Sequence, residues 1–130
     1  MYRSRLCILL AASIAVLAAP QAIAQQLCKP TLALTEARTS SAREMQRTWT
    51  SVLQVDASRC ASQSGPFWVQ FTRQKEHAPD MEFAHRFTWN PGQTEVSLDI
   101  WWDEWLEDHR VSHVAKCPCR AQLSERETVR

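Results

Sequence analysis

"TEVSLDIWW", residues 94–102, decides the fold. Val96, Leu98, Ile100 and Trp102 fall on one parity, and Glu95, Ser97 and Asp99 fall on the other. A β-strand turns successive side chains to opposite faces, so this period of two predicts a strand with one buried and one wet face. The pattern recurs upstream. In "MEFAHRFTW" (81–89), Met81, Phe83, Phe87 and Trp89 oppose Glu82, Arg86 and Thr88. In "FWVQFTRQK" (67–75), Phe67, Val69 and Phe71 oppose Gln70, Thr72 and Gln74. In "WTSVLQVDA" (49–57), Trp49, Leu53 and Val55 oppose Thr50, Gln54 and Asp56. Four such segments predict half-buried strands of antiparallel sheet.

Turn signals separate them. The two glycines of the chain, Gly65 and Gly92, stand in "QSGP" and "NPGQ". "PTLALTEAR" (30–38) offers a weaker first strand through Leu32 and Leu34, although residues 31–46 also admit loop or helix. "DEWLEDHR" (103–110), acidic at its start and basic at its end, predicts a short helix or turn. Val111, His113 and Ala115 then predict a closing strand. Six or seven short strands predict an all-β chain: a small antiparallel β-sandwich of immunoglobulin or fibronectin type III character. A small β-barrel is the alternative. Residues 25–46 form an N-terminal segment with the first strand and a polar loop, 47–120 the sandwich core, and 121–130 a flexible tail.

The N-terminus predicts export. Arg3 and Arg5 precede an apolar run from Leu6 to Ala19, and Ala22-Ile23-Ala24 supplies small residues at a cleavage position. Residues 1–24 therefore read as a signal peptide, too short to span a bilayer, which predicts a periplasmic or secreted protein with no membrane span after cleavage. Removing Arg3 and Arg5 from the 15 Lys and Arg leaves 13, against 14 Asp and Glu. Near-neutral charge supplies no basic field, so nucleic acid is not an expected partner.

Cleavage also removes Cys7 and leaves Cys28, Cys60, Cys117 and Cys119. An even count in a small exported domain predicts disulfides. If consecutive strands run antiparallel, all four cysteines collect at one pole. Cys60–Cys117 with Cys28–Cys119 is the preferred pairing, and the swapped pairing is nearly as good. Pro118 disfavours a Cys117–Cys119 ring. Four thiolates at one pole could instead hold zinc.

"HRVSHVAKCPCR" (109–120) gives the rival class. On a helix, His109, His113 and Cys117 would share one face about 6 Å apart, and with Cys119 they would make a copper or zinc site or a thiol-redox site. On a strand, His109 and Cys117 lie roughly 26 Å apart, beyond any one metal.

No catalytic signature appears. Ser64-Gly65 lacks a nucleophile-elbow context, "CPC" is not a haem motif, and the acidic residues near Trp105 form no separated carboxylate pair. No cofactor is expected. The expected function is a non-enzymatic binding or accessory module contacting an unknown protein partner. Its candidate contacts are Trp101, Asp103, Glu104 and Trp105. Trp102 shares the buried parity of Ile100. The charged stretch Arg73–Asp80, with Lys75, Glu76 and His77, reads as a hairpin loop and a second contact region. His85 reads as an edge or satisfied histidine.

Overall fold

A computed structural model describes residues 26–121. The predicted signal peptide and residues 122–130 of the predicted tail lie outside the described residues. The strands are β1 (Leu27–Cys28), β2 (Thr31–Thr39), β3 (Gln46–Asp56), β4 (Gly65–Lys75), β5 (Ala78–Trp89), β6 (Glu95–Trp101), β7 (Glu104–Val114) and β8 (Cys117–Pro118). One sheet has the order β2-β3-β6 and the other β5-β4-β7, all antiparallel; β1 and β8 form a small separate pair. Two distinct sheets make this a sandwich and not a barrel. Among the six long strands, the first, second and fifth share one sheet, as strands A, B and E do in the immunoglobulin fold.

The alternation seen in the sequence becomes the core. Trp49, Leu53 and Val96 from one sheet meet Phe67, Val69, Phe71, Trp89 and Val114 from the other. Trp49 sets its ring edge-on to Phe71 across the sandwich, with centroids 4.9 Å apart. Edge-to-face pairs add about 0.5–1.5 kcal/mol to simple burial. Ser51 is the one buried hydroxyl in this layer. It donates to the Thr35 carbonyl at 2.8 Å, where β2 bulges away from β3. At the far end of β3 the Ser58 hydroxyl and amide donate to Asp56, holding its carboxyl below the ordinary carboxylate range.

The four cysteines converge at one pole. Cys28 bonds Cys119 and Cys60 bonds Cys117, with Cα separations of 5.0 and 5.5 Å. β1 and β8 bring Cys28 opposite Cys117, and a backbone bridge sets Cys60 against Cys119. The two covalent loops span 91 and 57 residues of sequence. Each removes disorder from the unfolded chain and contributes about 2–4 kcal/mol.

Three local expectations are corrected. "DEWLEDHR" holds no helix; Asp103 completes the turn after β6, and from Glu104 onward the segment is β7. The register between β4 and β7 slips twice, leaving Glu107 and Ser112 as extra residues. These bulges space the less exposed side chains at Glu104, Leu106, His109, Val111 and Val114, intervals of two and three that imitate a helical stripe. The Arg73–Asp80 loop shrinks to Glu76 and His77, because Lys75 already pairs Ala78. Trp102 is not core. β6 stops at Trp101, and the turn that follows breaks its parity.

Candidate functional site

Opposite the cysteine pole, three chain reversals come together. The first joins β2 to β3. Arg43 and Gln46 exchange backbone hydrogen bonds of 2.8 and 2.9 Å around Glu44-Met45. Both central residues have positive φ, 50° and 70°. This is the backbone of a type I′ turn, which Asn-Gly usually fills because larger residues resist the left-handed region. The second reversal is Glu76-His77, with His77 also left-handed at φ 58°. The third is Trp102-Asp103, between β6 and β7.

The third turn is clamped from both sides. The Trp102 amide donates to the Met45 carbonyl at 3.0 Å, and Arg47 Nε donates to the Trp102 carbonyl at 2.7 Å. On the other side the Glu76 amide donates to the Asp103 carbonyl at 3.4 Å, and Lys75 Nζ lies 3.9 Å from the Asp103 carboxylate. Beneath it sits Glu104, only 4% exposed. One Glu104 oxygen accepts from the Trp101 amide at 3.0 Å, and the other from the Arg73 guanidinium at 3.1 Å. Lys75 approaches the latter oxygen at 3.9 Å. Buried carboxylates need such partners, because an unpaired one would carry its full desolvation cost.

On this frame the large apolar side chains point outward. Met45, Trp101, Trp102 and Trp105 are 59, 56, 42 and 37% exposed. Arg47 places its guanidinium 5.3 Å from the Trp105 ring centre, a cation–π contact that fixes one face of the indole. Met81 flanks the group. With Phe83, Leu98, Ile100 and Trp101 it lines a depression of about 390 Å³ between the edges of β5 and β6, with Arg73 and Glu104 on its wall.

The predicted contacts thus divide. Trp101 and Trp105 are exposed at this pole. Trp105 lies at the start of β7 and not in the connecting turn. Glu104 is not a surface contact; it is the buried anchor of the turn. Asp103 is half-buried and occupied by Lys75 and Glu76. Of the second predicted region, Arg73 faces Glu104 and not solvent. Met45, Arg47 and Trp102 were not among the expected contacts. Met45 and Arg47 carry no sequence signal beyond their place beside a polar loop, and Trp102 was hidden by its parity with Ile100.

The rival metal or redox cluster is not assembled. Cys117 and Cys119 belong to two different disulfides, so neither offers a thiolate. His109 packs against Trp49 at 5.3 Å and His113 against Trp68 at 5.1 Å, at separate heights of β7. Among the described residues, no three His, Cys, Asp or Glu side chains group as metal ligands. His85 lies on edge strand β5, 4.7 Å from the Phe87 ring. No described helix is long and apolar enough to cross a membrane. No family model matches the chain, and no curated protein or solved structure matches it.

Proposed function

We propose that the protein is an exported, non-enzymatic binding module that docks a protein partner through Met45, Trp101, Trp102 and Trp105. One observation carries this. Among the described residues six large hydrophobic side chains are exposed, and five of them (these four and Met81) gather at the turn pole, while Leu27 stands apart. Scattered exposed hydrophobics are ordinary, but a contiguous patch on a small domain is characteristic of an interface. Trp, Met and Arg are enriched in protein interfaces and supply their anchors. The clamped turn adds preorganisation, because little side-chain and loop entropy remains to be lost on docking. The strained Glu44-Met45 turn fits the same role, since left-handed non-glycine residues cluster at functional sites. The two disulfides, with the export signal expected from the sequence, support a periplasmic or secreted location.

The test is capture from the exported fraction with the parent and with a Trp101→Ala/Trp105→Ala variant whose circular dichroism is unchanged. Loss of one anchor tryptophan costs about 2 kcal/mol or more, and two such losses need not add, so a true partner should bind the double variant at least roughly 30-fold more weakly. Equal recovery of the same partners by both proteins would place the binding surface elsewhere.

A further inference from the structure

Sheet edges offer a second surface. Among the described residues, β2 and β6 are the edges of one sheet and β5 and β7 of the other. Open edges invite pairing with further strands, and proteins spoil them with bulges or shortness. β2 is broken at Glu36, which takes φ 51° where the register slips. β7 carries two bulges and β6 has only 7 residues. β5 is different. It is 12 residues long, and its register against β4 runs unbroken from Met81 to Trp89.

The β5 edge is also self-complementary. Glu82, Ala84 and Arg86 pair with Thr72, Gln70 and Trp68 of β4 and so share the outer face; Met81, Phe83, His85 and Phe87 share the inner one. We propose that β5 pairs antiparallel with β5 of a second copy of this chain, about a two-fold axis at Ala84. Glu82 then stands opposite Arg86 of the second copy, twice by symmetry. Ala84 meets Ala84, a small pair at the crowded centre. On the inner face Met81 meets Phe87 and Phe83 meets His85. An isologous contact requires this kind of self-match.

Three observations favour a second copy as the occupant. Neither Glu82 nor Arg86 has an ion-pair partner among the described residues; Arg86 instead stands 5.9 Å over Trp68, leaving both charges available at the edge. Sliding the register by two residues in one direction unpairs both charges, and in the other it sets Arg86 against Asp80 but leaves Glu82 unpaired; sliding by four sets like against like, so only the alignment about Ala84 satisfies Glu82 and Arg86 together. The inner row is incompletely covered, with Met81 exposed and Phe83, His85 and Phe87 half-buried beside the open depression between β5 and β6. A second β5 extends that row and covers it. The product is a continuous six-stranded sheet of order β7-β4-β5-β5-β4-β7. This goes beyond the docking role and does not depend on it. Antiparallel pairing sends the two tryptophan poles to opposite ends; Met81 enters the paired row, while Met45, Trp102 and Trp105 stay outside it.

Sedimentation equilibrium of the purified, oxidised protein tests the pairing. A reversible dimer is expected at tens of micromolar, as suits a small polar interface. Glu82→Arg and Arg86→Glu should each weaken dimerisation at least about tenfold, and the double variant should recover it to within about threefold, since the swap restores both pairs. Ala84→Cys should give a disulfide-linked dimer under mild oxidation. Ser97→Cys, on the other sheet, should not. A parent that stays monomeric at about 1 mM overturns the proposal. So does a dimer indifferent to the single charge reversals, a double variant that fails to recover, or equal cross-linking at positions 84 and 97.

Discussion

Glu104 is the residue on which the turn pole depends. Replacing it with alanine removes the acceptor of the Trp101 amide and the counter-ion of Arg73 together. Breaking a buried ion pair from one side costs about 3–5 kcal/mol, mostly through the charge left behind. Here that charge is not fully enclosed. The Arg73 side chain is 22% exposed, so solvent recovers part of the cost even though its Nε is buried without a partner, and about 2–3 kcal/mol remains. For a domain of this size that lowers the melting temperature by roughly 10–20 °C. Glu104→Gln keeps the shape and one acceptor and should cost about half as much. The assay is urea unfolding followed by tryptophan fluorescence, with m unchanged and the midpoint lowered. A double-mutant cycle with Arg73→Met isolates the pair, with an expected coupling near 1 kcal/mol or above. A Glu104→Ala cost under about 0.5 kcal/mol, or zero coupling to Arg73, would refute the anchoring role.

Two further substitutions probe the two ends of the sandwich. A Cβ added at Gly65 would lie 2.9 Å from Trp89 Nε1, and Trp89 is fully buried and cannot swing away; Gly65→Ala should therefore destabilise by about 1–3 kcal/mol, read as a lower urea midpoint. Met45 pays the left-handed penalty at φ 70°, so Met45→Gly should stabilise the isolated domain by about 0.5–1 kcal/mol while weakening capture of the partner, and a variant that is destabilised would contradict a strained turn.

What the sequence made legible follows the physics of alternation. β3, β4, β5 and β6 were readable because burial on one face imposes a period of two, and the core residues Trp49, Phe67, Val69, Phe71, Trp89 and Val96 all follow from it. The cysteine pole was readable from strand count alone, since antiparallel strands return to the same end. β7 was not readable over its first half, because the bulge at Glu107 breaks the period of two there, and with the later bulge at Ser112 it leaves a helix-like spacing. Glu104 looked like one more surface acid in an acidic run. Its burial depends on Arg73, 31 residues away, and no local pattern carries that. Trp102 failed for a simpler reason: parity predicts burial only while the strand continues. The Glu44-Met45 turn left no signal because it takes a conformation that Asn-Gly would have announced.

The two poles divide the work of a small domain. About 100 residues bury a limited core, and exposed tryptophans with a left-handed Met45 and Glu44 draw on its stability. The disulfides offset that cost, and their placement matters. They lie at the end where β1, β8 and the β3–β4 connection meet, so they tie down two short strands that would otherwise fray. None of them touches the turns that carry the tryptophans. Those turns are held instead by hydrogen bonds and by the Arg73–Glu104 pair. Reduction of the disulfides should therefore lower global stability while the turn pole keeps its local geometry for as long as the sandwich stays folded. Loss of Glu104 should do the reverse, loosening the turn pole with the cysteine pole intact. Hydrogen exchange at the Trp101 and Trp102 amides, set against exchange at Cys60 and Cys119, separates the two cases. If the reduced but folded protein lost protection at Trp101 as early as at Cys119, the poles would be one cooperative unit and this division would fail.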